Sequence, residues 1–547
     1  MKMHLNTAAL ILSTGLLASG PAFSAELLTH HVPMAVLEHE AALVGHADPE
    51  MHMPLSVALP MRNQDELDKT LAAIYDPHSP QYKHYLTLAE FTQRFGPTQT
   101  DYSKTVNFFQ SSGLEVKALS ANRYIVDIDG PVSAIERVFH IRLNLYRHPT
   151  ENRSFIAPDR EPTLDFNVPV LHVTGLDNFT LPRPRLVGPR EPEGGMRATG
   201  SGPGGNFIGS DMRAAYYGGS ALRGAGQAVG LMEFEGIDKG DIGLYWNTVH
   251  QSLHVKIYGV ATDGSLPVYC TKCDDSEQLL DIDYAISMAP GLSYLTFYVS
   301  ANPVSILNAM ATDTSILQFS TSWGWGENFA TEDPIYKEMA TQGQTFLTAS
   351  GDSPTLSAAG PWPEEDANMT AVGGTDLVTK SAGGAYKSET AWSDSASGPS
   401  LDHSIEIEPY QLPFINASNK GSYTLRNVSD VSANANFDMY ICATFQVKSV
   451  YTRDCQGGWG GTSFASPIWA GFIALANEAA EDDGNRPVGA INPIIYPNSS
   501  TSSLYSKMFH DVTHGKSGKY PAVEGYDLAT GLGSPNGQGL INVLEAQ

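Results

Sequence analysis

One segment of the sequence combines small residues, a serine and the start of a helical pattern. It runs from Gly460 to Pro467, reads Gly-Gly-Thr-Ser-Phe-Ala-Ser-Pro, and is followed by the apolar run 468–476. Ser463 would lie at the amino end of this helix, where free N–H groups and the helix dipole stabilise negative charge. Such a position suits a nucleophile whose reaction develops an oxyanion, although a buried helix with a Gly/Ser cap produces a similar pattern.

A nucleophilic serine needs a base, and two carboxylates offer one. Glu277 and Asp281 stand four residues apart in a predicted helix over 276–288, which places both on one face. Like charges at this spacing repel each other, and a shared proton removes the repulsion and raises one pKa. The pair could therefore relay protons in acid; the alternative is an ordinary solvated acidic face.

Two further acidic groups follow predicted strands or loops. The run 345–349 is followed by Ser-Gly-Asp, so Asp352 lies at the carboxyl end of a predicted strand. A protonated Asp352 side chain could donate a hydrogen bond to an oxyanion; the alternative is that Ser-Gly-Asp is an ordinary turn.

Near the C-terminus, Asp511 and Asp527 with converging backbone carbonyls would suit one Ca²⁺ ion. There is no EF-hand spacing, and an ordinary acidic surface loop would have the same composition.

The elements that must position these groups alternate between short apolar runs and helical patterns. The runs are 228–234, 292–299, 316–320 and 345–349, and the helical segments between them include 276–288 and 333–341. This rhythm predicts α/β architecture with a parallel sheet flanked by helices.

The first 205 residues have a different organisation. Residues 1–25 have the charged, apolar and small-residue order of a secretory signal. Residues 26–180 predict a small α+β domain, with a capped helix beginning at Thr87, a strand near 124–129 and a helix over 132–139. Residues 181–205, rich in proline and glycine, predict an exposed linker, which leaves 206–547 as the large domain.

Composition narrows the class of protein. The chain has 547 residues, 33 basic and 59 acidic, and a formal net charge of −26. This balance disfavours nucleic-acid binding, and no later segment is apolar enough to span a membrane. The four cysteines favour local disulfides, 270–273 and 442–455, over a redox or zinc site at the single CxxC.

Together the motifs resemble the sedolisin family of serine-carboxyl peptidases, secreted zymogens that act in acid. The family hallmarks appear in order: 79–97 in the activation propeptide, Glu277-x-x-x-Asp281, Ser350-Gly-Asp352, 371–375, 426–434, Gly461-Thr-Ser463 and a calcium-loop segment within 509–533. The resemblance implies a subtilisin-like catalytic domain and a ferredoxin-like prodomain.

By this resemblance each group receives a role. Ser463 is the nucleophile, Glu277 the general base, Asp281 its orienting partner, and Asp352 an oxyanion-hole donor. Glu233 and Trp323 match positions that extend the hydrogen-bond chain in some members. The calcium ligands carry over as the Asp511 and Asp527 carboxylates and the carbonyl oxygens of Val512, Val523 and Gly525.

Two departures from the family pattern stand out. Val523 replaces a frequent glycine, and in 397–410 the chain reads Ser397-Gly-Pro-Ser400 where members often have a glycine triplet and serine, followed by the acidic Glu406-x-Glu408. The sequence thus predicts a secreted, monomeric acid endopeptidase that hydrolyses proteins or peptides and is inhibited by its own propeptide. The alternatives are a neutral subtilisin-like peptidase with a histidine base and a catalytically dead, calcium-stabilised binding module.

Overall fold

The computed structural model describes residues 26–165, 167, 169–190, 199–326, 328–356 and 363–546. The predicted signal, residues 1–25, and residues 191–198 of the predicted linker lie outside these ranges. Across the described ranges, no helix has both the length and the hydropathy needed to cross a bilayer.

The N-terminal part is a small α+β unit on a four-stranded antiparallel sheet. From edge to edge the strands are Glu115–Leu119, Ile125–Pro131, His52–Ala58 and His172–Thr174. Three helices connect His52–Ala58 to the Glu115–Leu119 and Ile125–Pro131 hairpin, and helix Val132–Phe139 then leads toward the last strand. This is the predicted ferredoxin-like order, with a second sheet inserted before the last strand.

The remaining N-terminal elements surround this sheet. The helices are Met34–Leu37, Gln64–Tyr75, Leu88–Arg94 and Gln99–Ser111, and the other strands are Glu26–Leu27, Ala42–His46, Leu143–Arg147, Ser154–Pro158 and Thr163–Leu164. The predicted capping box is present: Thr87 Oγ1 accepts from the Glu90 N–H, and the Glu90 carboxylate accepts from the Thr87 N–H.

An eight-stranded sheet forms the centre of the C-terminal part. From edge to edge it contains Lys256–Ala261, Tyr294–Val299, Ala228–Glu233, Gln318–Thr321, Thr345–Ala349, Thr370–Thr379 and Tyr386–Ala391, and Val431–Asn434 also pairs with Thr370–Thr379. All pairings are parallel except that of Tyr386–Ala391. The central strand Ala228–Glu233 is buried throughout, with Val229 and Met232 in hydrophobic clusters on opposite faces. The parallel sheet flanked by helices is therefore confirmed.

Two helices on one face of this sheet carry the predicted serine and acids. We call Ser276–Met288 the acid helix and Thr462–Asp482 the serine helix. They pack closely because Gly471 has no side chain: a Cβ there would lie 2.7 Å from the carbonyl oxygen of Ala285. The acid helix has the predicted bounds.

The remaining C-terminal elements complete the domain. The helices are Gly209–Tyr216, Leu244–Thr248, Pro303–Thr312, Phe329–Thr341, Asn492–Asn498, Ser502–Met508 and Gly537–Glu545, with 3₁₀ turns Pro203–Gly205, Pro363–Glu365 and Leu412–Phe414. Short strands are Arg183–Pro184, Trp323–Gly324, Gly398–Pro399, Asn427–Val428, Phe509–His510, Lys516–Ser517, Tyr520–Pro521 and Ser534–Pro535, and Met439–Val447 pairs with Val450–Trp459. The two local disulfides are both present.

The structure adds detail to the predicted linker. Residues 181–190 are exposed or half-buried, and Arg183–Pro184 pairs antiparallel with Trp323–Gly324. Proline is compatible with this position because a two-stranded edge pairing leaves its missing N–H without a required partner. The linker thereby reaches the strand ends where the predicted site lies.

Candidate active site

Ser463 lies in the first turn of the serine helix and is fully buried. Gly461, at φ +136°, turns the chain into this helix. The Ser463 hydroxyl lies 3.4 Å from the Ser322 carbonyl oxygen. The backbone N–H of Ser463 donates to a carbonyl oxygen that lies outside the serine helix. The serine therefore has the helix-terminal position that its sequence predicted.

The acid helix brings Glu277 and Asp281 to this serine. Both side chains are buried, at 2% and 0% exposure, and the Ser463 hydroxyl is near enough to lower the pKa of Glu277. Nevertheless, neither carboxylate oxygen of Glu277 makes a formed hydrogen bond within the described chain. Glu277 thus faces Ser463 with oxygens available to accept a proton.

A third carboxyl group, Glu233, lies against Asp281 at the end of the central strand. Trp323 Nε1 donates to Glu233 Oε2 at 2.8 Å, and Ser322 Oγ donates to Asp281 Oδ1 at 2.6 Å. Burial raises the pKa values of Glu277, Asp281 and Glu233 well above their ordinary range, and the Asp281 charge raises those of its two neighbours further. Three buried acids acting on one another retain protons, as a carboxyl relay requires.

Asp352 follows strand Thr345–Ala349 and reaches the start of the serine helix. Its Oδ1 accepts from the Thr462 N–H at 2.7 Å and from the Thr462 hydroxyl at 2.8 Å, while Oδ2 is buried without a partner among the described residues. Burial raises the pKa of Asp352 to about 7. In acid this carboxyl is therefore a neutral donor.

No histidine of the described C-terminal part contacts Ser463. Of the five histidines after residue 205, four are exposed, and His510 stacks on Tyr386 with ring centroids 3.5 Å apart. A histidine-based mechanism would have no candidate base beside the serine in this arrangement.

Comparison with known proteins accounts for this combination. A family model described as "Pro-kumamolisin, activation domain" matches residues 39–179, and one described as "Subtilase family" matches residues 250–491; together they cover more than half of the chain. The protein belongs to the sedolisin family. It is accordingly a serine peptidase with an N-terminal activation domain.

Individual relatives support the same assignment. Kumamolisin from Bacillus sp. (strain MN-32) is 26% identical over 91% of this chain and 93% of its own length. Sedolisin from Pseudomonas sp. (strain 101) is 28% identical over 89% of this chain and 85% of its own. A structure of Pseudomonas sedolisin complexed with two molecules of pseudo-iodotyrostatin has a TM-score of 0.51, 24% identity and coverage of 63% of this chain and 98% of that one, which supports the fold.

The linker of this peptidase passes through the site. The Ser463 N–H donates to the Arg185 carbonyl oxygen at 3.1 Å, and the Arg185 N–H donates to the Ser322 carbonyl at 2.8 Å. Two residues further, Val187 and Gly460 exchange backbone hydrogen bonds of 2.8 and 3.3 Å. The chain on both sides of the Arg185 carbonyl is therefore held in an extended conformation across the serine.

Gly461 brings the groups around this carbonyl together. The position that a Cβ of Gly461 would take lies 2.3 Å from the Arg185 oxygen and 2.8 Å from Asp352 Oδ2. The unpartnered carboxyl oxygen of Asp352 thus lies on the same side of Gly461 as the carbonyl bound by Ser463. A second donor to this oxygen is available when Asp352 is protonated.

The predicted calcium ligands lie in two neighbouring loops of the C-terminal part. Asp511 accepts from the Gly525 N–H at 3.2 Å, and Asp527 Oδ2 accepts from the Val523 N–H at 2.9 Å. Burial raises the pKa of Asp511, and raises that of Asp527 to about 7. The described chain contains no group of three or more His, Cys, Asp or Glu residues that could hold a metal, so any ion here depends on carbonyl oxygens as well.

The backbone of these loops fits that requirement. Within the described residues, no backbone hydrogen bond ends on the carbonyl oxygens of Val512, Val523 or Gly525. Gly525 has φ +81°, whereas the φ of Val523 is not positive, so valine is unstrained at position 523. An oxygen donor set of two carboxylates and three carbonyls suits Ca²⁺.

Sequence reasoning missed two features of the site. Ser322 bonds both Asp281 Oδ1 and the Ser463 carbonyl, and its place just after strand Gln318–Thr321 is a signal that could have identified it. Arg185 contacts the site through the backbone, and its ion-pair partner Glu364 belongs to no recognised motif. Unlike Ser322, neither Arg185 nor Glu364 could be found from local patterns.

Proposed function

We propose that this chain is a secreted zymogen of an acid-acting serine-carboxyl endopeptidase that cleaves proteins or peptides. The observation that supports it most strongly is the placement of Ser463 between a buried carboxylate, Glu277, and a peptide carbonyl, that of Arg185. A neutral histidine-based peptidase is disfavoured because none of the histidines that the structure describes lies beside the serine. A dead binding module would have no need for an unpartnered base.

The proposed chemistry uses six residues. Ser463 Oγ attacks the substrate carbonyl carbon while Glu277 accepts its proton. Asp281 and Glu233 act as positioning residues that hold protons and orient Glu277, with Trp323 fixing Glu233. The Ser463 N–H and protonated Asp352 donate to the oxyanion, and Glu277 returns its proton to the leaving nitrogen. A cluster of interacting carboxyl groups suits acid, because Glu277, Asp281 and Glu233 can share fewer protons than they have sites and so accept one from Ser463, whereas a histidine would be protonated.

Calcium has a structural role in this proposal. One ion would be held by the Asp511 and Asp527 carboxylates and by the carbonyl oxygens of Val512, Val523 and Gly525. When bound, it would neutralise the buried Asp527 and the half-buried Asp511 carboxylates and fix the loops beside strand Val431–Asn434. It takes no part in the reaction.

The prodomain and localisation complete the proposal. Residues 1–25 would direct export, 26–180 would assist folding and inhibit the enzyme, and the linker within 181–205 would contain the processing site. Substrates and the enzyme's own propeptide are the expected partners of a monomer; neither nucleic acid nor membrane is expected.

The proposal is tested by casein hydrolysis from pH 2 to 8, with Ser463→Ala as control. We expect activity that peaks in acid and is abolished by the substitution, together with acid-dependent loss of the propeptide. A peak near neutrality, or equal activity of the Ser463→Ala protein, would contradict the proposal.

A further inference from the structure

Residues 183–187 of the linker lie in the active-site cleft, paired with the enzyme backbone as a substrate would be. On the amino-terminal side of the Arg185 carbonyl, Arg183–Pro184 pairs antiparallel with Trp323–Gly324. On the carboxyl-terminal side, Val187 pairs with Gly460. The carbonyl between these two pairings accepts the N–H of Ser463, so the bond placed for attack is Arg185–Leu186.

The Arg185 side chain occupies a pocket that is shaped for it. A Cβ on Gly324 would lie 2.1 Å from an Arg185 guanidinium nitrogen, and a Cβ on Gly351 would lie 3.1 Å from another. Both glycines belong to the strand ends that flank Ser463. The absence of side chains at these two positions therefore leaves room for a long, flat guanidinium group.

An acid partner stands in this pocket. Arg185 Nη2 lies 3.0 Å from Glu364 Oε1 and 3.3 Å from Oε2, and the Glu364 side chain is only 2% exposed. Burial raises the pKa of Glu364 to about 7, while Arg185 lowers it. A carboxyl group in this position requires either a proton or a cation, and an arginine side chain supplies the cation.

We propose that the peptidase cleaves preferentially after arginine, that Glu364 selects this side chain, and that Arg185–Leu186 is the first bond it cuts. This inference rests on the proposed function and adds its substrate class. With a neutral residue at the same position, Glu364 would have to take up a proton and would lose its charged hydrogen bonds to the guanidinium, which favours arginine over neutral residues.

The processing step balances as ordinary hydrolysis. Ser463 Oγ bonds to the carbonyl carbon of Arg185, and its proton passes to Glu277. The bond from this carbon to the Leu186 nitrogen breaks as that nitrogen receives the proton. Water then hydrolyses the ester, leaving a carboxyl group on Arg185 and restoring the Ser463 hydroxyl.

The first test compares two fluorogenic peptides that differ only in arginine or citrulline before the cleaved bond. Citrulline has nearly the same shape without the charge. We expect kcat/KM to favour arginine by about 10- to 100-fold in the wild-type enzyme, since hydrogen bonds to charged groups contribute that much. In Glu364→Gln this ratio should fall to within about threefold of one, with citrulline hydrolysis retained. The matched control is Glu481→Gln, at the far end of the serine helix, which should keep the wild-type ratio.

The second test follows the full chain in acid by mass spectrometry at early times. We expect a first product that begins at Leu186, and slower conversion or a shifted cut in Arg185→Ala. Cleavage of peptides without preference for arginine, or a first cut elsewhere, would overturn this inference while leaving the proposed function intact. Failure to cleave any peptide would instead contradict the proposed function itself.

Discussion

The catalytic domain has two buried pairs of ionisable residues that are four positions apart in the sequence; one pair consists of two acids and the other of a base and an acid. Glu277 and Asp281 are both acids, whereas Arg426 and Asp430 form an ion pair in which both side chains are fully buried. Asp430 also accepts from the Tyr496 hydroxyl at 2.7 Å and the Ala371 N–H at 2.8 Å. The second pair therefore has its charges and hydrogen bonds satisfied by the protein.

The difference shows that the same fold uses buried carboxyl groups for two purposes, to stabilise the structure and to transfer protons. At Asp430 the neutralising group is a fixed guanidinium, so the carboxylate anchors strand Val431–Asn434 beside the sheet. The ionisable groups that act on Glu277 are Asp281, Glu233 and Asp352, which are all carboxyl groups, so only protons can neutralise this cluster. Protons can move within a catalytic cycle and a guanidinium cannot. We therefore assign stability to the first arrangement and chemistry to the second.

The largest effect is expected from breaking the ion pair. Asp430→Ala leaves Arg426 buried without its partner, which costs about 3–5 kcal/mol in the free energy of unfolding. Denaturant unfolding of the Ser463→Ala background, which cannot digest itself, measures this loss. Asp281→Asn in the same background should change stability by less than about 1 kcal/mol, because it removes a like charge. Equal losses in both variants would contradict the comparison.

The next effect concerns the oxyanion. Asp352→Ala should lower kcat by about 10²–10³ because one donor is lost. Asp352→Asn keeps a donor and should retain more activity. Since the pKa of Asp352 is about 7, the wild-type enzyme loses this donor as pH rises through that value, and the asparagine variant should not. Pre-steady-state kinetics from pH 4 to 8 would check both points; an unchanged kcat in the alanine variant would remove Asp352 from the mechanism.

A smaller effect is expected at the proposed calcium site, where the neutralising cation would come from outside the chain. If calcium is bound there as we propose, removing it with a chelator should lower the unfolding free energy by up to about 2.7 kcal/mol, the value for a ligand present at 100 times its Kd. Calcium binds the deprotonated carboxylates, so the effect should shrink as pH falls below about 7, the pKa of Asp527. Calorimetry of wild type and Asp527→Asn measures it. If the chelator destabilised Asp527→Asn as much as the wild type, calcium would have to bind at a site that does not include Asp527.

Sequence patterns predicted the parallel sheet, the acid helix and the position of Ser463, because each depends on local periodicity and on capping. They did not predict that Arg183–Pro184 forms a short strand in the cleft or that Val187 pairs with Gly460. Proline and glycine in that segment argue against regular structure, yet its partners, at Ser322 and Gly460, lie far away along the chain. Glu364 was missed for the same reason, since its ion pair with Arg185 exists only after the linker has been placed.

The most direct test of the central claim is the acylation rate of Glu277→Gln in single-turnover experiments at pH 4. If the Ser463 proton passes to this carboxylate, acylation should slow by about 10²–10⁴ while the protein stays folded, because glutamine has the same shape and cannot accept the proton. An acylation rate equal to that of the wild-type enzyme would contradict the account.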